Sequence, residues 1–268
     1  MMLRSKWLVV GGIVAVVAAV GAGMAIGAAA AGGRSSASAA SGAARRHHRV
    51  DPSLTQRYDP DRYTARVSNP WFPLKPGITY VYRGTDGEDR TRDVFRVTDR
   101  TITIVGVECR VVNDRVFTNG HLSEKTSDYY TQDVEGNVWY FGEDPAEYNR
   151  SGKVISRAGT WRTGRHGAQA GIFMQAFPQV GDQFRQEFRR GHAEDHYMVL
   201  SLSAEVTTPY GHFGDNRLRR NVELTKEWSP LEPRVRDHKY YVRGIGEVAE
   251  VTVRGGHETL DLFAIRKR

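Results

Sequence analysis

The chain has 268 residues, one cysteine, a formal net charge of +7 and a sequence pI near 9.6. A single cysteine, Cys109, excludes an intramolecular disulfide, and a folded part of about 200 residues can bury a core without one. The basic excess is local: Arg4, Lys6, Arg34, Arg45, Arg46 and Arg49 precede the first acidic residue, and setting those six aside leaves 32 basic against 31 acidic residues.

A nucleic-acid binder concentrates its positive charge on the folded domain. Here the excess lies ahead of it, so nucleic acid is not an expected partner. Arg4 and Lys6 instead open an apolar stretch from Trp7 to about Ala31. Positive residues before an apolar run keep that end cytoplasmic. Ala28-Ala29-Ala30 supplies a cleavage-like site for a secretory signal. The length of the run also approaches the ~20 residues that span a bilayer, so an uncleaved anchor is the competing reading. Residues 1–32 are therefore expected to direct export, with membrane as a partner if they stay attached. No cysteine stands at the end of the run to carry a lipid anchor. Residues 33–59 are Gly/Ser/Ala-rich, then basic through Arg45-Arg46-His47-His48-Arg49, and read as a tether that cannot bury a core.

From residue 60 to 268 the pattern predicts one β-rich extracytoplasmic domain. Asn69–Gly77 carries three prolines, which disfavour a helix, and ends in a Pro-Gly turn. Ile78–Arg83, Arg92–Thr98, Thr101–Val105 and Glu108–Phe117 follow as β-branched or alternating runs. Leu122–Gln132 leads through Asp133-Val134-Glu135-Gly136-Asn137, a hairpin turn, to a return strand at Val138–Phe141. Arg150–Gln179 is glycine-rich and irregular, long enough to suggest a lid or binding loop. Phe184-x-x-x-Phe188, bounded by glycines, reads as a short strand. Tyr197–Thr207, Arg217–Trp228, Asp237–Val242, Glu247–Arg254 and Thr259–Ile265 complete the hairpins. No segment sustains a 3.6-residue apolar period. The expected fold is all-β: a strongly curved antiparallel sheet or incomplete β-barrel with one long irregular loop. A faint echo links Asp128-Tyr129-Tyr130 with Lys239-Tyr240-Tyr241, each followed by a glycine turn.

Several blocks resemble an exported bacterial family, frequent in actinobacteria, for which no activity is established. They are Asn69–Gly77, Asp128–Asp144, Gly167–Met174, Gly181–Asp195 and Leu231–Gly246. The chain departs from that pattern at Tyr129, where Trp is expected, and at Ala170, where Pro is expected. Thr208–Phe213, together with the Tyr240–Gly246 segment, also looks like other envelope proteins with curved sheets. The resemblance implies compartment and fold, not chemistry.

Acidic pairs beside aromatics are the candidates for chemistry: Glu143-Asp144, Glu194-Asp195, and Glu232 near His238-Lys239. Converging carboxylates could hold Ca²⁺, or with His238 a transition metal, or hydrolyse a glycosidic bond. Their ordinary role is to cap turns and pair with arginines on neighbouring strands. Asp133-x-x-Gly136-Asn137 lacks the spacing of a calcium loop, and Cys109 in a β-branched run reads as an inert buried thiol. The common hydrolase, metalloprotease and nucleotide-binding motifs are missing, so neither a cofactor nor a catalytic set is expected. Tyr130, Trp139, Trp161 and Tyr240 would either fill the core or line a ligand pocket in the concave face. The leading expectation is a non-enzymatic module binding an apolar or glycan-like ligand there. A carboxylate- or metal-dependent hydrolase and a structural or protein-interaction domain are the alternatives.

Overall fold

The computed structural model describes residues 57–214 and 221–267. The export segment and nearly all of the tether expected from the sequence lie outside the described residues. A 3₁₀ turn, Pro60–Arg62, leads into β1 (Tyr63–Thr64). A long meander follows: β2 (Ile78–Asp86), β3 (Asp89–Ile104), β4 (Val107–Thr118), β5 (His121–Asp133) and β6 (Val138–Glu143). The turns are tight because the sequence supplies residues that accept a left-handed backbone. Asn119 and Gly120, with φ of 51° and 84°, make the two-residue β4–β5 turn. The two runs expected at 92–98 and 101–105 are one strand, β3, whose register shifts between Val97 and Thr101.

The glycine-rich connection carries three short strands of its own, β8 (Val154–Ser156), β9 (Trp161–Arg162) and β10 (Gln169–Met174), after β7 (Ala146–Tyr148). Next come β11 (Gln183–Arg185), β12 (Glu187–Phe188) and β13 (His196–Ser201). A separate two-stranded hairpin, β14 (Val206–Thr208) with β15 (Gly211–Phe213), precedes β16 (Val222–Trp228). Then β17 (Arg236–Val242), β18 (Gly246–Arg254) and β19 (Glu258–Lys267) complete the chain.

The remaining 17 strands form one sheet that curls into a nearly closed antiparallel barrel. β19 pairs with β2, joining the C-terminal meander to the N-terminal one. On the other side β6 pairs with β10, β10 with β12, and β11 with β13. Because only Gln186 separates β11 from β12, this short segment bridges the two meanders. Gly171 permits that crossing, since a Cβ there would lie 2.1 Å from the Arg185 carbonyl oxygen. Any larger residue would have to push the bridging segment away.

Alternation along the strands creates two apolar layers. The interior is packed with aromatics: Tyr130 stacks on Tyr140 with ring centroids 4.8 Å apart, and Phe173 meets both edge-on. Asn69 ties down the Pro-rich segment, its side-chain oxygen accepting from the Trp71 and Phe72 backbone N–H groups at 2.8 and 3.1 Å. That places the Phe72 ring against Tyr130 and Phe173 inside the barrel. A smaller layer lies outside, where Tyr58 and Tyr63 cover Val107, Cys109, Tyr129, Trp139 and Phe141. Burial there pushes the Cys109 thiol well up, as an inert thiol requires.

Candidate functional site

Among the described residues, side chains fill the concave face where a pocket was expected. Tyr130 has no exposed surface, and the void left between Phe72, Tyr80, Phe95 and Ile245 is about 10 Å³, too small for any ligand. Trp139 lies on the opposite face, where Tyr58 and Tyr63 meet its ring edge-on and its indole N–H donates to Asp133 at 2.7 Å. The same carboxylate accepts the backbone and side-chain N–H groups of Asn137 at 2.8 and 3.0 Å, so it closes the hairpin turn. Tyr240 is half-buried against the core. None of these three aromatics lines a concave binding surface. A curved sheet of this size closes tightly enough for its own side chains to fill it.

The acidic pairs separate because neighbours on a strand face opposite sides. Glu143 points inward and has no exposed surface, and neither of its carboxylate oxygens has a hydrogen-bond partner among the described residues. Burial first, then the carboxyls of Glu187 and Asp128, hold its pKa well above the usual range. Asp195 contributes to the same field, so the inward members of the two pairs converge. Glu187 is raised by burial and Asp195, with the Trp161 indole beside it opposing. Asp128 is raised by burial and Asp114, although the Tyr140 hydroxyl donates to it at 2.9 Å. Sequence reasoning missed Asp128 and Glu187, because an acid in an alternating run ordinarily reads as solvent-facing. Glu194 faces outward and accepts the Gly191 backbone N–H at 2.7 Å, capping the turn after β12.

The third group does not join them. Lys239 is fully buried between Glu227 at 3.5 Å and Glu250 at 3.6 Å. Burial alone would lower its pKa, but Glu227 and Glu250 outweigh that and keep the ammonium charged. His238 lies on the other face of β17, where burial and then Lys226 lower its pKa. Glu232 sits half-buried in the turn before β17, raised by burial and then Asp237. No group of three or more His, Cys, Asp or Glu is arranged to hold a metal among the described residues.

Of Tyr130, Trp139, Trp161 and Tyr240, Trp161 borders a cavity of about 460 Å³ on the outside of the barrel, although its ring is buried and packed edge-on against Tyr140. Three turns build it. Arg157–Thr160 joins β8 to β9, Arg165 and His166 follow β9, and Arg189 to His192 form the turn after β12. The last is a tight reverse in which Arg189 and Ala193 exchange backbone hydrogen bonds of 2.6 and 2.9 Å. The Arg189 guanidinium donates to the Thr160 carbonyl and so ties two of the turns together. β9 approaches β6 closely at Gly142, where a Cβ would lie 2.5 Å from the Trp161 carbonyl oxygen.

Asp144, the outward member of its pair, stands at one wall of the cavity. It accepts the Tyr129 hydroxyl at 2.6 Å and pairs with Arg162, whose guanidinium lies 5.0 Å from the Tyr129 ring centre and donates to its hydroxyl at 3.1 Å. Burial and then Asp144 raise the Tyr129 pKa, so the phenol stays protonated as the donor. Tyr129 is thus buried behind this wall, where its hydroxyl joins Asp144 and Arg162. Asp144 is the sole carboxylate facing the cavity among the described residues, against Arg157, Arg162, Arg165 and Arg189. The segment read as an irregular loop supplies most of the cavity lining, including Arg157, Arg162 and Arg165.

No family model matches the chain, and no curated protein matches it. Two solved structures are similar. One is a protein of Bacteroides fragilis described as exported and as having a YmcC-like fold. It is 14% identical over 74% of this chain and 99% of its own, with a TM-score of 0.42. The other, from Parabacteroides distasonis and described as a lipoprotein, is 11% identical over 73% of this chain and 98% of its own, at a TM-score of 0.39.

Proposed function

We propose that the chain is an exported cell-envelope module that binds a glycan-like ligand, without catalysis, in the cavity beside Trp161. The observation that carries this reading is the gathering of polar side chains around a cavity of about 460 Å³ outside the barrel wall, whereas an opening of the same volume beside Trp71, Phe177 and Val180 is lined mainly by apolar residues. Small-molecule sites are concave and mostly preformed, with a few polar groups that fix orientation. Thr160 and the arginines supply such polar groups. Export is supported by the charge-free run from Trp7 to Ala31 behind Arg4 and Lys6.

Native mass spectrometry of the full-length chain tests the binding reading. A ligand retained by the natural protein and lost from Ala158→Phe, which fills the cavity, supports it. Equal retention by both places the ligand elsewhere. Protease digestion of intact cells expressing a C-terminally tagged chain tests export, and a protected tag would refute it.

A second reading, a protein-interaction domain, has one observation in its favour. Phe177 and Val180 are 82% and 61% exposed and sit together on the loop after β10, beside Trp71 and Leu202. Exposed apolar clusters of this kind mark protein contacts. Phe177→Asp with Val180→Asp would abolish co-purification of an envelope partner if that reading holds, and would leave cavity binding unchanged.

A further inference from the structure

The cavity has a strong charge imbalance. Four guanidinium-bearing side chains, those of Arg157, Arg162, Arg165 and Arg189, face one carboxylate, Asp144. Two of the four are already engaged, Arg162 with Asp144 and Arg189 with the Thr160 carbonyl. Arg157 and Arg165 have no ion-pair partner among the described residues and are exposed. They approach from separate turns, one on each side of β9. Surface arginines usually scatter or find carboxylates; here the body of the chain has nearly as many acids as bases, yet a single acid faces this opening.

We infer that this cavity binds a phosphate ester, with Arg157 and Arg165 as its principal ligands and Arg189 completing the cradle. The inference rests on the proposed binding role of the cavity and names its ligand class. A planar carboxylate satisfies one guanidinium fork, whereas a tetrahedral phosphate presents oxygens in several directions and is matched by forks converging from different segments. The Asp144 and Tyr129 partners fix Arg162 in the wall, so it supplies positive field without moving. Ala158 and Gly159, which line the same cavity, leave room for the rest of the ligand, a sugar ring or a glycerol backbone. His192 reports the same field, because burial and then Arg189 and His166 lower its pKa. A bound dianion reverses that effect.

The test uses the full-length chain in a neutral detergent, titrated calorimetrically at low salt with glucose 6-phosphate, with inorganic phosphate, and with glucose as the uncharged control. Mixed micelles with and without phosphatidic acid form a further arm. Glucose 6-phosphate binding that weakens at least tenfold in Arg157→Ala/Arg165→Ala supports the inference, provided glucose is silent and Arg254→Ala behaves as the natural protein. Partial recovery in Arg157→Lys/Arg165→Lys supports it further, since charge survives while the fork is lost. An upward shift of the His192 imidazole titration on adding phosphate, followed by NMR, is expected in the natural chain and absent in the double alanine variant. Preference for phosphatidic acid micelles over glucose 6-phosphate identifies a lipid headgroup as the source of the phosphate, and the converse a soluble ester. Failure of every phosphate probe to bind, or equal binding by the double alanine variant with an unchanged circular dichroism spectrum, overturns the inference. If an uncharged ligand co-purifies equally with the natural and double alanine chains but not with Ala158→Phe, the cavity still binds and the phosphate class alone is refuted.

Discussion

The hairpins β5–β6 and β17–β18 are built on one plan and charged in opposite ways. In each, a doubled tyrosine sits opposite a bulge. Tyr129 and Tyr130 face Gly142 and Tyr140, leaving Phe141 as the extra residue. Tyr240 and Tyr241 face Ala249 and Glu247, leaving Val248 as the extra residue. A bulge increases local twist and bends the strand, so both hairpins curve the sheet at matching places. The residue before each tyrosine pair then points inward against a glutamate: Asp128 opposite Glu143, and Lys239 opposite Glu250. One hairpin therefore buries two acids face to face, and the other buries a lysine against an acid, Glu250, whose pKa burial still raises despite Lys239. The bulge belongs to the shared backbone plan, whereas the charge at that inward position differs freely between the hairpins. Burying a charge is costly unless it is paired, and the two hairpins meet that cost differently. Nearby acids favour the charged form of Lys239, while burial favours the protonated form of Asp128 and Glu143 in one hairpin and of Glu250 in the other.

The largest effect that can break this contrast comes from removing the buried cation. Lys239→Met leaves Glu227 and Glu250 without their counter-charge, and a loss of about 3–5 kcal/mol is expected in urea denaturation at neutral pH. A near-neutral result would mean that these acids are already protonated, as in the first hairpin.

The second expectation concerns pH. Burial raises Glu124 to about 7 near the first hairpin, and Glu247 to about 7 and Glu223 to about 8 near the second, from the ordinary glutamate value of 4.5. In the folded state these groups hold protons that the unfolded chain has released. Their stabilising contribution is complete below about 4.5 and is lost as pH rises through 7 to 8. The thermal midpoint should fall between pH 5 and pH 8, because a tenfold difference in proton affinity between folded and unfolded chain is worth about 1.4 kcal/mol. Glu143→Gln should make that fall shallower by removing one proton-holding acid, and an unchanged slope would contradict the assignment.

The tyrosine hydroxyls sharpen the comparison further. Tyr140→Phe removes the hydrogen bond to the buried Asp128 and should cost about 2 kcal/mol in thermal or urea melts. Tyr241→Phe should cost about 1 kcal/mol, because Glu227 keeps Thr225 at 3.0 Å and Lys239 as partners. Equal costs would show that the lysine gives Glu227 no extra support. The smallest change is expected behind the cavity wall, where Tyr129→Phe loses the hydrogen bond to the partly exposed Asp144 and costs about 0.5–1 kcal/mol in the same melts.

Much of this architecture was legible along the chain. Val-, Thr- and Tyr-rich runs punctuated by Asn-Gly and Asp-Gly turns specify hairpins locally, because alternation and turn chemistry act between neighbours. The Asp133–Asn137 turn and the buried thiol of Cys109 follow from the same local rules. The echo of the two tyrosine pairs, each followed by a glycine turn, was visible too, but the bulges were not. Space aligns Glu143 with Glu250 through the bulges, and a bulge leaves no mark on the sequence.

Which acids would meet could not be read locally. Glu143 and Asp144 are adjacent in the chain, yet one joins Glu187 and Asp195 inside while the other joins Arg162 outside. Strand alternation separates them, but sheet closure decides which residues lie across the interior. The same applies to the cavity. Arg157, Arg165 and Arg189 stand on separate turns, and only the docking of β9 on β6 and the bridging of β10 and β13 through β11 and β12 bring them around Trp161. The sequence by itself determined strands, turns and the expectation of export, because those depend on residues close in the chain. Tertiary structure alone decided that the concavity is solid, that its acids are buried together and that an arginine-lined opening lies outside, because each depends on how a long sheet closes on itself.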